Sequence, residues 1–258
     1  MLHSKQNKME RKLGDPKIRY QILESTNEFV LGSLKERKFN EGTIVIAGFQ
    51  THGEGMGENR WESEKDKNLL LSLVLKPVFL EPAHQFYLNK FASLAVYDFV
   101  KHVLPDKNVT VKWPNDVYID DKKVAGILIN NTIIGKHFEY VVLGIGLNIN
   151  QKTFKSDAPN PVSLIHHTNK ELNLEECLQS LLHYLNSRYE QLKVEKSQSL
   201  DGDYLNVLYR YQNWSEFKTE NRTFKGRITG ITEYGQLQIE EESGKIQEYD
   251  FKTVEFSG

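Results

Sequence analysis

Apolar positions along the chain follow two alternating rhythms, one of strands and one of helices. KIRYQILEST (17–26) reads as a strand entering a helix; Ser25 and Glu28 have capping-box spacing, and Phe29, Val30 and Leu31 follow. GTIVIAGF (42–49) is a β-branched run and NLLLSLVLKP (68–77) a second apolar run closed by Pro77, and both predict buried strands. A helix is predicted from near Pro82, with Leu88, Phe91, Leu94, Ala95 and Phe99 at helical spacing. TVKWPNDVYIDDKKVAGILIN (110–130) predicts strands around an Asp-Asp-Lys turn, and EYVVLGIGLNIN (139–150) another buried strand. The polar stretch 151–163 is expected to be mobile, and 174–192 is an amphipathic helix.

Beyond Trp214 the pattern changes to short alternating strands with glycine turns, which predicts a small β-barrel. The expected division is a loose leader over 1–17, a main domain over 18–212 and a β domain over 213–258. The fold class expected is α+β.

Composition narrows the function. With 258 residues and a net charge of -2, the chain lacks the basic excess of a general nucleic-acid binder. Cys177 is the only cysteine, so no internal disulfide can form, which suits a reducing compartment. No stretch approaches a membrane span and the N-terminus has no signal-peptide core, so the expected location is the cytoplasm, with no membrane partner.

Three segments are candidates for chemistry. In KWPND (112–116), Thr110 and Lys112 share one strand face, Asn115 and Asp116 lie in a turn, and Lys123 begins the returning strand. Two converging lysines need a negative charge to meet them, such as an acyl carboxylate or a nucleotide phosphate. A solvated hairpin has the same spacing, which does not decide between them. Gly53, Gly55 and Gly57 let backbone approach a ligand, or only form a turn. Gly144 and Gly146 lack the third glycine of a dinucleotide fingerprint. The eight histidines are dispersed, which points away from a metal site; metal ligands stay unknown.

Taken together and in order, EST-N (24–27), FQT-x-G (49–53), Trp61, KWPND (112–116), KKVAGIL (122–128), GIGLNIN (144–150) and NPVSL (160–164) resemble the biotin–protein ligase family. The resemblance covers about residues 20–258 and implies a mixed sheet related to class II aminoacyl-tRNA synthetases, with an SH3-like terminal domain. It implies ATP-dependent formation of biotinyl-AMP with Mg2+, then transfer to a lysine of a biotin carboxyl carrier protein; no tightly bound cofactor is expected, and a homodimer is allowed. Ser25, Thr26, Asn27, Gln50, Gly53, Ser72, Lys123 and Gly126 match biotin-pocket positions. Gly55, Met56, Arg60, Trp61, Lys112, Asn115 and Asn148 match nucleotide positions, and Lys112, Asp116 and Lys123 the catalytic ones. The 151–162 segment is expected to fold over the nucleotide.

The chain departs from the family in its glycine loop. A GRGR-type run is replaced by Gly53-Glu54-Gly55-Met56, leaving Arg60 as the basic residue before Trp61, and a weaker hold on the adenylate is expected. About 24 residues precede EST, too few for a winged helix-turn-helix, so no operator binding is expected. Competing readings are a lipoate-type ligase on the same scaffold and a degenerate protein that only binds biotin or its carrier.

Overall fold

The computed structural model describes residues 12–34, 36, 39–156, 159–194 and 198–257. Most of the leader expected over 1–17 and part of the 151–163 stretch therefore lie outside the described residues.

Among the described residues the strands form two sheets. The larger has seven strands in the order β1-β2-β3-β7-β6-β5-β4. Its members are β1 (Lys17–Leu23), β2 (Ile44–Gln50), β3 (Leu69–Leu75), β4 (Val109–Lys112), β5 (Asp116–Ile119), β6 (Lys122–Ile134) and β7 (His137–Leu147). Only β1 and β2 run parallel; the other pairs are antiparallel, so the sheet is mixed.

Alternation along the central strands divides the core. Ile44, Ile46, Leu73 and Leu75 face a layer formed by α2 (Phe86–Val103) and α4 (Leu174–Val194). Val45, Val74 and Val142 face the opposite way, against Val30 and Leu34 of α1 (Thr26–Leu34). The site develops on this second face, where α1 covers only part of the sheet.

The predicted helix at Pro82 begins later than its pattern suggested. Pro82–His84 form a single 3-10 turn, and α2 starts at Phe86, with its apolar stripe fully covered. Two helices gave no sequence signal strong enough to place them: α3 (Ile165–Thr168) and α5 (Gln198–Asn206). The short α5 is held from outside, by Asp201 accepting from the buried ammonium of Lys90 and from the Tyr87 hydroxyl.

The smaller sheet is antiparallel, with β8 (Trp214–Lys218), β9 (Thr223–Ile231), β10 (Leu237–Glu241), β11 (Ile246–Tyr249) and β12 (Glu255–Ser257) in the order β11-β10-β9-β8-β12. Its core of Phe217, Ile228, Leu237 and Ile239 is continuous with that of the larger sheet. The β9–β10 turn makes the junction. Trp113 Nε1 donates to the Gly235 carbonyl at 2.9 Å, and Gly235, at φ +95°, lies so close to Phe86 that a Cβ would stand 2.6 Å from its ring. No described helix is long and apolar enough to cross a membrane.

Candidate active site

The first part of the site is the start of α1. Ser25 precedes the helix and accepts from the Glu28 amide at 3.3 Å, while the Thr26 amide donates to Gln50 Oε1 at 2.7 Å. Ser72, buried on β3, donates to Asn27 Oδ1 at 2.5 Å and accepts from the Thr26 hydroxyl at 2.8 Å. Asn27 in turn donates to the Leu128 carbonyl and to Asn130 Oδ1. A cavity of about 110 Å³ is thus walled by side chains whose orientation is fixed at both ends, among them Ser25, Thr26, Asn27 and Gln50.

Three glycines make room around it. A Cβ on Gly144 would collide with the Asn27 amide, one on Gly146 would reach 2.5 Å from the Trp61 indole, and one on Gly126 would reach 3.0 Å from the same ring. Trp61 therefore lies flat on the sheet between β6 and β7. Its backbone is tied to the loop: the Trp61 amide donates to the Gly53 carbonyl and the Gly55 amide to the Asn59 carbonyl, both at 2.8 Å.

The second part is cationic. Lys112 pairs with Asp116 across β4–β5, and Asp116 with Gly126 across β5–β6. Strict alternation from Gly126 would send Lys123 to the opposite face. A bulge between Val117 and Tyr118 shifts the register so that Lys123 faces Tyr118, and Lys112, Asp116, Tyr118, Lys123 and Gly126 share one surface. Lys123 Nζ stands 2.7 Å from Asp116 Oδ1, and Lys112 Nζ donates to the Tyr118 hydroxyl at 3.3 Å. Burial lowers the Lys112 pKa, with Arg210 and Lys123 adding to the shift and Asp116 and Glu255 opposing it. Two ammonium groups against one aspartate leave this trio one positive charge in excess.

These residues border a wider cleft of about 710 Å³, which meets the small cavity at Asn59, Arg60, Trp61, Asp116 and Lys123. The far wall is the segment expected to be mobile, and its described residues are hydrogen-bonded to the loop and to β6. The Lys155 and Ser156 amides donate to Glu62 at 2.8 and 2.7 Å, and Gln151 accepts from the Asn68 amide group at 2.6 Å. The Lys123 amide donates to the Asn160 carbonyl and the Val162 amide to the Lys123 carbonyl, joining the segment to β6. Burial raises the Glu62 carboxyl, but donation from Ser156 and Lys155 outweighs it and leaves the pKa below its ordinary value.

Most of the sequence-predicted residues converge on these two spaces. Ser25, Thr26, Asn27, Gln50, Gly55, Met56 and Gly126 border the small cavity, Lys112 and Asn148 the cleft, and Arg60, Trp61, Asp116 and Lys123 both. Two stand outside both spaces, and a third borders the small cavity rather than the cleft. Ser72 lies behind the cavity as the partner of Thr26 and Asn27, and Gly53 packs against the Trp61 carbonyl. Asn115, assigned by resemblance to the nucleotide, borders the small cavity, because its amide donates to the Ile127 carbonyl and turns it toward β6.

Tyr118, Glu62 and Phe256 were not foreseen. Tyr118 was readable in principle, two positions from Asp116 on the same strand face. Glu54 was foreseen only as a missing arginine; it accepts from Ser25 Oγ at 3.1 Å, and burial raises its pKa. Of the nine buried side-chain polar atoms without a partner among the described residues, Trp61 Nε1 and Asn148 Oδ1 belong to residues that border these spaces, where a ligand would satisfy them.

The geometry has close relatives. The Biotin/lipoate A/B protein ligase family matches residues 19–148, and the Biotin protein ligase C terminal domain matches residues 216–256. The human biotin–protein ligase is 28% identical over 256 residues, covering 94% of this chain but 34% of that protein. The bifunctional ligase/repressor BirA of Bacillus subtilis is 27% identical over 238 residues, 90% of this chain and 71% of its own. Among solved structures, the biotin protein ligase of Aquifex aeolicus in complex with biotin and ATP superposes with a TM-score of 0.77 at 26% identity, covering 93% of this chain and 98% of that one. The chain belongs to the biotin protein ligase family.

Proposed function

We propose that this protein condenses biotin with ATP to biotinyl-5'-AMP and passes the biotinyl group to a lysine of a biotin carboxyl carrier protein. The observation that carries this reading is the meeting of a small, polar-ended cavity with a wider cleft beside the Lys112, Asp116 and Lys123 trio. The cavity takes the acid. Ser25, Thr26, Asn27 and Gln50 offer donors and acceptors to a ureido ring, and the Trp61 indole, seated on Gly126 and Gly146, gives a flat wall for its chain. The cleft takes the nucleotide, with Trp61 and Asn148 toward the base and Arg60 and Lys112 toward the phosphates.

In the first step a biotin carboxylate oxygen attacks the α-phosphorus and pyrophosphate leaves. Lys123 and Lys112 stabilise charge that grows on the phosphoryl oxygens, in a site whose polar groups are already oriented. In the second, the carrier's ε-amine attacks the acyl carbon, an amide forms, and AMP departs with the electron pair of the broken C–O bond. Asp116 lies where that amine must arrive, and orients it or accepts its proton.

Magnesium enters this reading with the nucleotide. Among the described residues no group of three His, Cys, Asp or Glu side chains could hold a metal ion, and Mg2+ keeps waters and phosphate oxygens with one or two carboxylates. Glu58 and Glu62 in the cleft wall are the carboxylates that could meet it. Residues 18–212 form the catalytic unit in this reading, and 213–258 the unit that backs Lys112. The free edge of β1, where Ile22 is 53% exposed, is where a homodimer would form.

Biotin-dependent exchange of pyrophosphate into ATP tests the first step, with lipoate as the control acid. Exchange with biotin and none with lipoate is expected. Exchange with lipoate alone, or with neither acid, would sink the proposal.

A further inference from the structure

Lys123 has its charge matched by Asp116, but Lys112 is held differently. Its ammonium lies 5.1 Å from the centroid of the Tyr118 ring, 5.0 Å from Phe256 and 6.0 Å from Tyr209. Tyr118 belongs to β5, Tyr209 to the link after α5, and Phe256 to β12, so the rings come from both sheets and the chain between them. They also touch one another, with centroids 5.4 Å apart for Tyr118 and Tyr209 and 5.8 Å for Tyr209 and Phe256. Phe256 continues to Phe217 at 5.4 Å, in the centre of the smaller sheet. The Tyr209 hydroxyl is anchored by donation to Asp121 at 2.7 Å.

A ring face attracts an ammonium without taking one of its N–H donors, so it can aim the charge and leave those donors for a phosphate. We infer that Phe256 is a positioning residue for Lys112: its ring, carried by the last strand of the C-terminal sheet, caps the ammonium and makes charge stabilisation at the reaction centre depend on the docking of that sheet. This rests on the proposed adenylation only for its consequence in catalysis.

The same ring acts on the ammonium in two opposed ways. Its face favours the charged form, while its bulk excludes water and disfavours it. The other groups facing Lys112 are Asp116 and Tyr118 from β5, Lys123 from β6, Tyr209 and Arg210 from the link, and Glu255 from β12. All of these side chains are retained when Phe256 is substituted, and the Leu and Ala variants share the loss of its contact with Tyr209, so the contrast between them separates the two effects.

Phe256→Leu keeps an apolar cover but removes the ring face, so Lys112 should titrate at lower pH than in the parent. Phe256→Ala admits water, so it should titrate at higher pH. Phe256→Tyr keeps both effects and should restore parent behaviour. The measurement is an NMR titration of the full chain carrying 13Cε-labelled lysine, with Lys112 assigned through Lys112→Arg. In parallel, kcat for pyrophosphate exchange should fall roughly three- to thirtyfold in Phe256→Leu, the range of a desolvated cation–π contact, with KM for biotin unchanged.

Opposite shifts in the Leu and Ala variants, with rescue by Tyr, are the expected result. Parent-like titration in both, or shifts of the same sign, would overturn the inference. If Phe256→Ala does not fold, a downward shift in Leu with Tyr at the parent value supports the inference, and an unshifted Leu overturns it. A parent enzyme without exchange would defeat the adenylation reading, while the titration would still decide the placement of Lys112.

Discussion

Lys123 Nζ and Asp116 Oδ1 stand 2.7 Å apart at the point where the small cavity opens into the cleft. An incoming carboxylate or phosphate must share that ammonium with the aspartate, so the pair holds the lysine in place before substrate arrives. Lys123→Met should reduce exchange by about a hundred- to a thousandfold, the range for removing one preorganised donor. Asp116→Asn should slow transfer to the carrier more than exchange. Equal effects of Asp116→Asn on both steps would remove its role toward the amine.

Gly146→Ala tests the flat wall. The added methyl would press on Trp61, and the indole must leave the sheet to accommodate it. Overpacking of this kind costs roughly 1–3 kcal/mol, and if the displaced indole passes that cost to the cavity, biotin affinity measured by calorimetry should fall roughly five- to a hundredfold. Unchanged affinity would mean that the indole plays no part in the cavity.

The pH dependence has a sign that follows from Lys112. Burial holds its pKa below the ordinary 10.5, so the ammonium is lost as pH rises through that lowered value. Exchange activity should therefore decline on an alkaline limb below 10.5. This group does not make the fold less stable over that interval, because losing the proton relieves the burial of its charge. A fall in activity without a fall in melting temperature is the outcome to look for.

Glu62 supplies the acidic counterpart. Its lowered pKa means that its grip on Lys155 and Ser156 is present above the ordinary carboxyl value of 4.5 and is lost as pH falls through the folded value. At neutral pH, Glu62→Gln should raise KM for ATP roughly threefold to tenfold through weaker charged hydrogen bonds, leaving KM for biotin alone. A change in KM for biotin alone would contradict the assignment of the cleft.

Glu54 and Met56 stand where arginines were expected, and Glu54 turns a carboxylate toward Ser25 in the small cavity. The double substitution Glu54→Arg, Met56→Arg should slow escape of the adenylate by about ten- to a hundredfold, one charged hydrogen bond at 1.4 kcal/mol per decade. Labelling of bystander protein by the double variant should fall accordingly below that by the parent chain. Equal leakage from both would show that these positions do not hold the adenylate.

The sequence by itself determined the sheet and much of the site. β2, β3 and β7 were readable because a strand buried on both faces needs an unbroken apolar run, and α2 and α4 because a helix packed on one side needs a stripe. The order of the motifs was enough to place Ser25, Gln50, Lys112, Asp116 and Lys123 in one family's pattern. Tertiary structure decided what depends on partners distant along the chain. Alternation alone would have put Lys123 on the wrong face; a one-residue bulge opposite Val117 and Tyr118 turned it toward Asp116. The polar 151–163 segment had no apolar pattern to suggest order, yet the amides of Lys155 and Ser156 are satisfied by Glu62 and that of Val162 by the Lys123 carbonyl, partners that composition cannot reveal. Phe256 is one of many alternating residues in a short strand, and only the docking of the C-terminal sheet brings its ring over Lys112.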